Sequence, residues 1–161
     1  MARITTYDEI KTAYELASKK YKKLPKFDEI NNEFEIVRAE FPEFMMKETR
    51  RMILRIFNAC ANDLQAIFNA HPQDPHSMIE SSAFSKEEKQ KIYKQYMIFW
   101  YWIHQGLVDS MGGEKESAEF VINTWKAWPP LKKEYKKVMQ KVTKAWKKVP
   151  TKPKEDKAYL G

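Results

Sequence analysis

Apolar residues recur along this chain at intervals of three and four, the spacing of one face of an α-helix. Tyr7, Ile10, Tyr14, Ala17 and Tyr21 keep it first, behind a capping box in which Thr6 stands three residues before Glu9. Pro25 ends that element. Ile30, Phe34, Val37 and Phe41 predict a second helix, with Asp28 as its cap and Pro42 as its stop. From Pro42 to Asn69 runs the longest uninterrupted pattern. Met46, Ile53, Phe57, Cys60, Leu64 and Ile67 share one face, and Arg51, Arg55, Asn58, Asn62, Gln65 and Asn69 the opposite one. Pro42 suits a first helical turn, where its missing N–H costs nothing. The prolines of "AHPQDPHSM" stop that helix, and "SMIESSAF" has room for a short one.

Ser85 and Glu88 form a second capping box and open a helix of about 25 residues, closed by Gly112 and Gly113. Residues 114–128 predict another helix, ended by Pro129-Pro130, and the second proline begins a last one that runs to Val149. The expected architecture is all-α: a single-domain bundle of about six helices over residues 1–149, followed by a polar, flexible tail over 150–161.

Inside the helix that Ser85 opens stands "QYMIFWYWIHQGL", with Phe99, Trp100, Tyr101 and Trp102 in succession. Aromatics favour strands, but the capping box and the helix formers before the run argue for helix. Neighbouring residues on a helix step round it by roughly 100°, so four adjacent aromatics point in four directions. This helix is therefore expected at the centre of the bundle, covered on most sides. Two other uses compete: a platform on which bases stack, and a surface for self-association, which leaves a homo-oligomer open.

Composition supports helices. Only 4 glycines occur in 161 residues, too few for many tight turns or a backbone cradle round a nucleotide. The length suffices for a core without metal or disulfide. One cysteine, no signal-peptide pattern at the start and no apolar run of membrane-spanning length point to a reducing cytoplasm.

The net charge of +7 is unevenly spread. Residues 126–161 carry 12 Lys against 3 acids, whereas the first 125 carry 17 basic and 19 acidic groups. The last helix is amphipathic. Leu131, Tyr135, Val138, Val142 and Val149 share one face; Lys133, Lys137, Lys144 and Lys148 line another, flanked by Lys132, Lys136, Lys141 and Lys147. Such a helix can offer lysines to phosphates, lie on an anionic membrane, or simply be solvated.

Candidate chemistry is sparse. His71, Asp74, His76 and Glu80 lie near one another, with His76 and Glu80 one helical turn apart, but the spacing matches no established zinc pattern. His104 sits among aromatics, and Cys60 falls on an apolar stripe, where it reads as a small core residue. No Glu-x-x-His pair, P-loop, G-x-G-x-x-G or G-x-S-x-G is present. No catalytic residue, metal or cofactor is assigned.

These features lead to a non-enzymatic binding protein that contacts nucleic-acid backbone without reading sequence, since lysine is a mobile point charge unsuited to bidentate base contacts. The assigned surface is Lys133, Lys136, Lys137, Lys141, Lys144 and Lys148, extended by Arg51 and Arg55 and, on the same helix, Arg50. The alternative is an assembly subunit with a protein partner, an acidic one at the lysine helix. A small helical enzyme or metal protein using the His71/His76 loop ranks third.

Overall fold

The computed structural model describes residues 5–150, and within them the chain is an all-α bundle of six helices with no strand. They are α1 (Tyr7–Lys20), α2 (Phe27–Phe34), α3 (Met45–Phe68), α4 (Pro75–Ser82), α5 (Lys86–Ser110) and α6 (Glu114–Trp146). The tail expected beyond Pro150 lies outside the described residues.

Local chemistry sets the helix starts. Thr6 Oγ1 accepts from the Glu9 amide at 3.3 Å while Glu9 Oε2 accepts from the Thr6 amide at 2.9 Å. Ser85 and Glu88 repeat the arrangement at the start of α5. Asp74 caps α4, accepting from the amides of His76 and Ser77. These side chains satisfy amides that the first turn leaves without partners.

α3 is the element the others surround, and more of its residues are buried than in any other helix. Every member of its expected stripe, from Met46 to Ile67, is buried. At the centre, Phe57 stacks on Trp128 of α6, with ring centroids 5.6 Å apart, and meets Phe99 of α5 edge-on at 5.3 Å. Phe34 of α2 closes the cluster against Phe57 and Trp128. Where α5 crosses α3, Gly106 lets the helices approach closely: a Cβ there would stand 2.7 Å from Leu54 Cδ2.

Four boundaries differ from the sequence pattern. α2 starts behind Lys26, not Asp28, and Glu29 Oε2 accepts from the Lys26 amide. It stops at Phe34, because Glu35 takes a left-handed conformation (φ 53°) and the Asn31 side chain accepts from the Val37 amide at 2.8 Å. Ile36 then becomes the buried residue in place of the expected Phe41, which is 52% exposed. Pro42 opens a 3-10 turn, Pro42–Phe44, and α3 begins after it.

The fourth difference is the largest. Pro129 and Pro130 do not separate two helices; they lie inside the 33-residue α6. A proline in a helix interior removes a hydrogen bond, clashes with the carbonyl four residues back and costs ~3 kcal/mol. Tertiary packing on both sides of the pair outweighs that local preference. Val121, Thr124, Trp128, Leu131 and Val142 are all buried on the bundle side, while both prolines face solvent. The Trp128 indole N–H donates to Glu33 at 2.6 Å, and Gln95 of α5 donates to the Leu131 carbonyl at 3.0 Å. The helix is thus fastened immediately before and after the prolines.

α5 is not wrapped as its aromatic run suggested. Ile92, Gln95, Phe99, Ile103 and Gly106 form its buried side. Trp100 and Trp102 are half-buried, and Tyr101 is 59% exposed. Tyr93, Met97, Tyr101, Val108 and Met111 leave an apolar stripe facing outward.

Candidate anion-binding surfaces

The uninterrupted course of α6 aligns its lysines. At about 100° per residue, positions 126, 133, 136, 137 and 144 fall on one side of the helix, opposite Leu131, Tyr135, Val138 and Val142. All five of these lysines are exposed. At 1.5 Å per residue, Lys126 and Lys144 stand roughly 27 Å apart along the axis. Lys148 is also exposed, in the turn that follows the helix. Lys126, Lys133, Lys136, Lys144 and Lys148 have no ion-pair partner among the described residues.

Three lysines of this helix are paired. Lys141 meets both oxygens of Glu88 at 2.7 Å and rests over the Phe84 ring. Lys137 pairs with Glu134 one turn away on the surface. Lys132 contacts both oxygens of Glu33, the same carboxylate that accepts from Trp128. Burial alone would raise the pKa of Glu33, but the bonds from Lys132 and Trp128 together hold it below the ordinary carboxylate value. Lys141, Lys144 and Lys148 also line a hollow of about 600 Å³ beside Ile79 and Ala83 of the α4 region.

The arginines gather elsewhere. Arg38, Arg50, Arg51 and Arg55 are four of the five arginines in the chain, and all four line one groove of about 770 Å³ between α3, α5 and the segment before α3. Lys47, Glu40 and Glu48 share its polar lining, and Met52, Leu54 and Leu107 give it apolar wall. Three of these arginines are paired. Glu48 and Glu40 both reach Arg51, at 2.8 and 3.3 Å, and Glu35 bridges Arg38 and Arg55, at 3.1 Å to each. Glu48 itself is buried, and its second function is to accept from the Glu40 amide at 2.8 Å.

Arg50 differs. It is 9% exposed, and its only side-chain hydrogen bond among the described residues runs from Nη1 to the Ser117 hydroxyl of α6 at 2.8 Å. Nε is sealed from solvent without a partner. No carboxylate among the described residues forms an ion pair with it. Burial lowers its pKa from the ordinary arginine value, opposed through space by Asp109 and Glu114. A cation removed from water without a counter-charge costs several kcal/mol.

The histidine loop has other work. His71 Nδ1 accepts from the Gln73 amide, the His76 ring packs on Trp146 at 5.2 Å, and Glu80 accepts from the Trp146 indole at 3.1 Å. Among the described residues no three His, Cys, Asp or Glu side chains stand together so as to hold a metal ion. His104 is exposed on α5, its Nδ1–H donating to the Trp100 carbonyl at 2.8 Å. Cys60 is buried, and desolvation, aided by the Asp63 charge, pushes its thiol up to about 12, far from a reactive thiolate. No helix among the described residues is long and apolar enough to cross a membrane.

The structure thus separates what the sequence grouped. Lys133, Lys136 and Lys144 share a free face, with Lys148 just beyond it, whereas Lys137 and Lys141 are paired, and Arg51 and Arg55 belong to the groove. Lys126, Arg38, Lys47 and the isolation of Arg50 were not anticipated. The crowding of four arginines between positions 38 and 55, in a chain that otherwise uses lysine, is the signal that would have drawn attention to the groove. No family model matches the chain, and neither curated proteins nor solved structures yield a match.

Proposed function

We propose that the protein binds nucleic acid through phosphate contacts made by the lysine face of α6. The observation that carries this reading is the continuity of α6 through Pro129-Pro130, which sets Lys126, Lys133, Lys136 and Lys144 on one side of a single helix. Their span of roughly 27 Å covers most of one turn of a B-form duplex, about 34 Å. Lysine supplies charge without the planar fork that reads base edges, so binding is indifferent to sequence. Titration of labelled duplex and single-stranded DNA and RNA tests it, using a chain with Lys126, Lys133, Lys136 and Lys144 all changed to Gln. These side chains are exposed and form no ion pair among the described residues, so their loss opens no cavity. The expected outcome is binding at low salt that is largely lost in the variant, with melting temperature and helical content unchanged. Equal binding by parent and variant would remove this surface from consideration.

A second reading, self-association, has its own observation. The outward stripe of α5 includes Met97 at 48% and Tyr101 at 59% exposure, continued by Met111 at 88% in the cap just past Ser110. Exposed apolar side chains grouped on one helix side, here around the exposed His104, can mark interaction sites. Sedimentation velocity should then show a dimer that Tyr101→Glu dissociates. A parent chain that stays monomeric at high micromolar concentration eliminates this reading and leaves the first unaffected.

A further inference from the structure

The lysine face of α6 leaves the arginine groove without a role. The carboxylates in it and beside it are already committed: Glu40 and Glu48 of the lining to Arg51, and the neighbouring Glu35 to Arg38 and Arg55. Two cations of the lining, Lys47 and Arg50, form no direct ion pair among the described residues, although Asp109 and Glu114 act on Arg50 through space. Lys47 is half-buried; its ammonium lies over the Phe44 ring and acts on the Glu116 carboxylate through space. Arg50 is more than nine-tenths buried, with two of its three guanidinium nitrogens unpartnered among the described residues.

A protein does not ordinarily bury a guanidinium without a counter-charge or a full set of acceptors. Here the missing partner has a place to sit, because Arg50 lines a groove large enough for a small organic ligand. The sealed Nε is out of a ligand's reach, but Nη2, which no group among the described residues engages, is free to donate. Arginine suits this task because it donates through a planar fork matched to carboxylate and phosphate oxygens. The Met52, Leu54 and Leu107 side chains supply an apolar wall for whatever the anion is attached to.

We infer that the groove between α3 and α5 is a binding site for a small organic oxyanion, its phosphate or carboxylate group held by Arg50 and Lys47 and its apolar body lying against Leu54 and Leu107. The site is separate from the lysine face of α6 and does not depend on nucleic-acid binding.

An NMR titration of the full chain, at constant ionic strength, tests it with three probes: phenyl phosphate, 3-phenylpropanoate and the neutral 3-phenylpropanol. At least one anion should give saturable shifts confined to amides of residues 47–58 and 106–110, and the alcohol should give none. Which anion binds more tightly identifies the headgroup. Arg50→Met should weaken binding about tenfold or more, as expected for a lost charge-assisted hydrogen bond. Because Arg50 is buried, that chain could misfold, so Leu107→Glu serves as the second variant. Leu107 is 54% exposed, and the change brings a negative charge to the groove wall without disturbing the core. Weaker anion binding by a folded Leu107→Glu chain supports the site even where Arg50→Met is unstable. The chain lacking the four α6 lysines should bind the same probe within about twofold of the parent. No saturable shift with either anion at millimolar concentration overturns the inference. So does binding that Leu107→Glu leaves unchanged, or binding of the alcohol as tight as that of the anions.

Discussion

Glu33 gathers two residues of α6 at one carboxylate of α2, and that makes it the most informative single residue. It sits on α2 and receives Trp128 and Lys132, both from α6. Its pKa lies below the ordinary carboxylate value in the folded chain. A depressed folded pKa means that the stabilisation is present above the unfolded pKa and is lost as pH falls through the folded one. Glu33→Gln should therefore cost about 1–2 kcal/mol at neutral pH, discounted because Lys132 is half exposed. The gap between parent and variant should close below the carboxylate range. Urea unfolding at neutral and acidic pH measures both, and a gap that persists in acid would show that the charge is not what matters. Nothing in the sequence marks Glu33 among its neighbours Glu29, Glu35 and Glu40, because its role depends on a partner 95 residues away. Cys60 is the opposite case. Its place on an apolar stripe already fixes it as a core residue, and the structure buries it.

At the scale of elements, what could be read from the sequence divides by the range of the forces involved. The capping boxes at Thr6 and Ser85 are local, and both stand as the sequence implies. The α3 stripe is a 24-residue periodic signal, and its expected core is the observed one. The aromatic run was harder. Phe99 is fully buried, yet periodicity could not tell an all-round apolar helix in a core from one with an uncovered side. Pro129-Pro130 misled because the local cost of proline is real but smaller than the burial it opposes. That stored cost is testable. Changing both prolines to Ala removes a penalty of up to ~3 kcal/mol at each position, and both side chains are exposed, so no packing is lost. The double variant should raise the unfolding midpoint and keep or increase helical content. A neutral or lower midpoint would indicate that the rings sit in a chain break, where proline is at ease, and would remove the continuity on which the lysine face rests.

The whole molecule carries +7 charges, and the excess belongs to its C-terminal quarter. Within α6 and the arginine groove, the fold pairs several cations with carboxylates. Lys132, Lys137 and Lys141 are held by Glu33, Glu134 and Glu88, and Arg38, Arg51 and Arg55 by Glu35, Glu40 and Glu48. The cations left for a partner along α6 are Lys126, Lys133, Lys136 and Lys144, with Lys148 just beyond. That division predicts a salt dependence. Each neutralised phosphate of a duplex contributes about 0.9 to the fall of log K with log salt, so five contacts give a slope between about −4 and −5. Single strands contribute about 0.7 each, and the slope flattens to roughly −3.5. Replacing four of the lysines by Gln should leave a slope near −1, if one contact survives. Arg55→Gln serves as the internal control. Its guanidinium is paired with Glu35 in the groove and is not on the α6 face, so the slope should not change. Fluorescence anisotropy over a series of salt concentrations supplies all four slopes. A slope that follows Arg55 and ignores the lysines would transfer nucleic-acid binding to the groove, and one that follows neither would end the phosphate-contact reading for this protein.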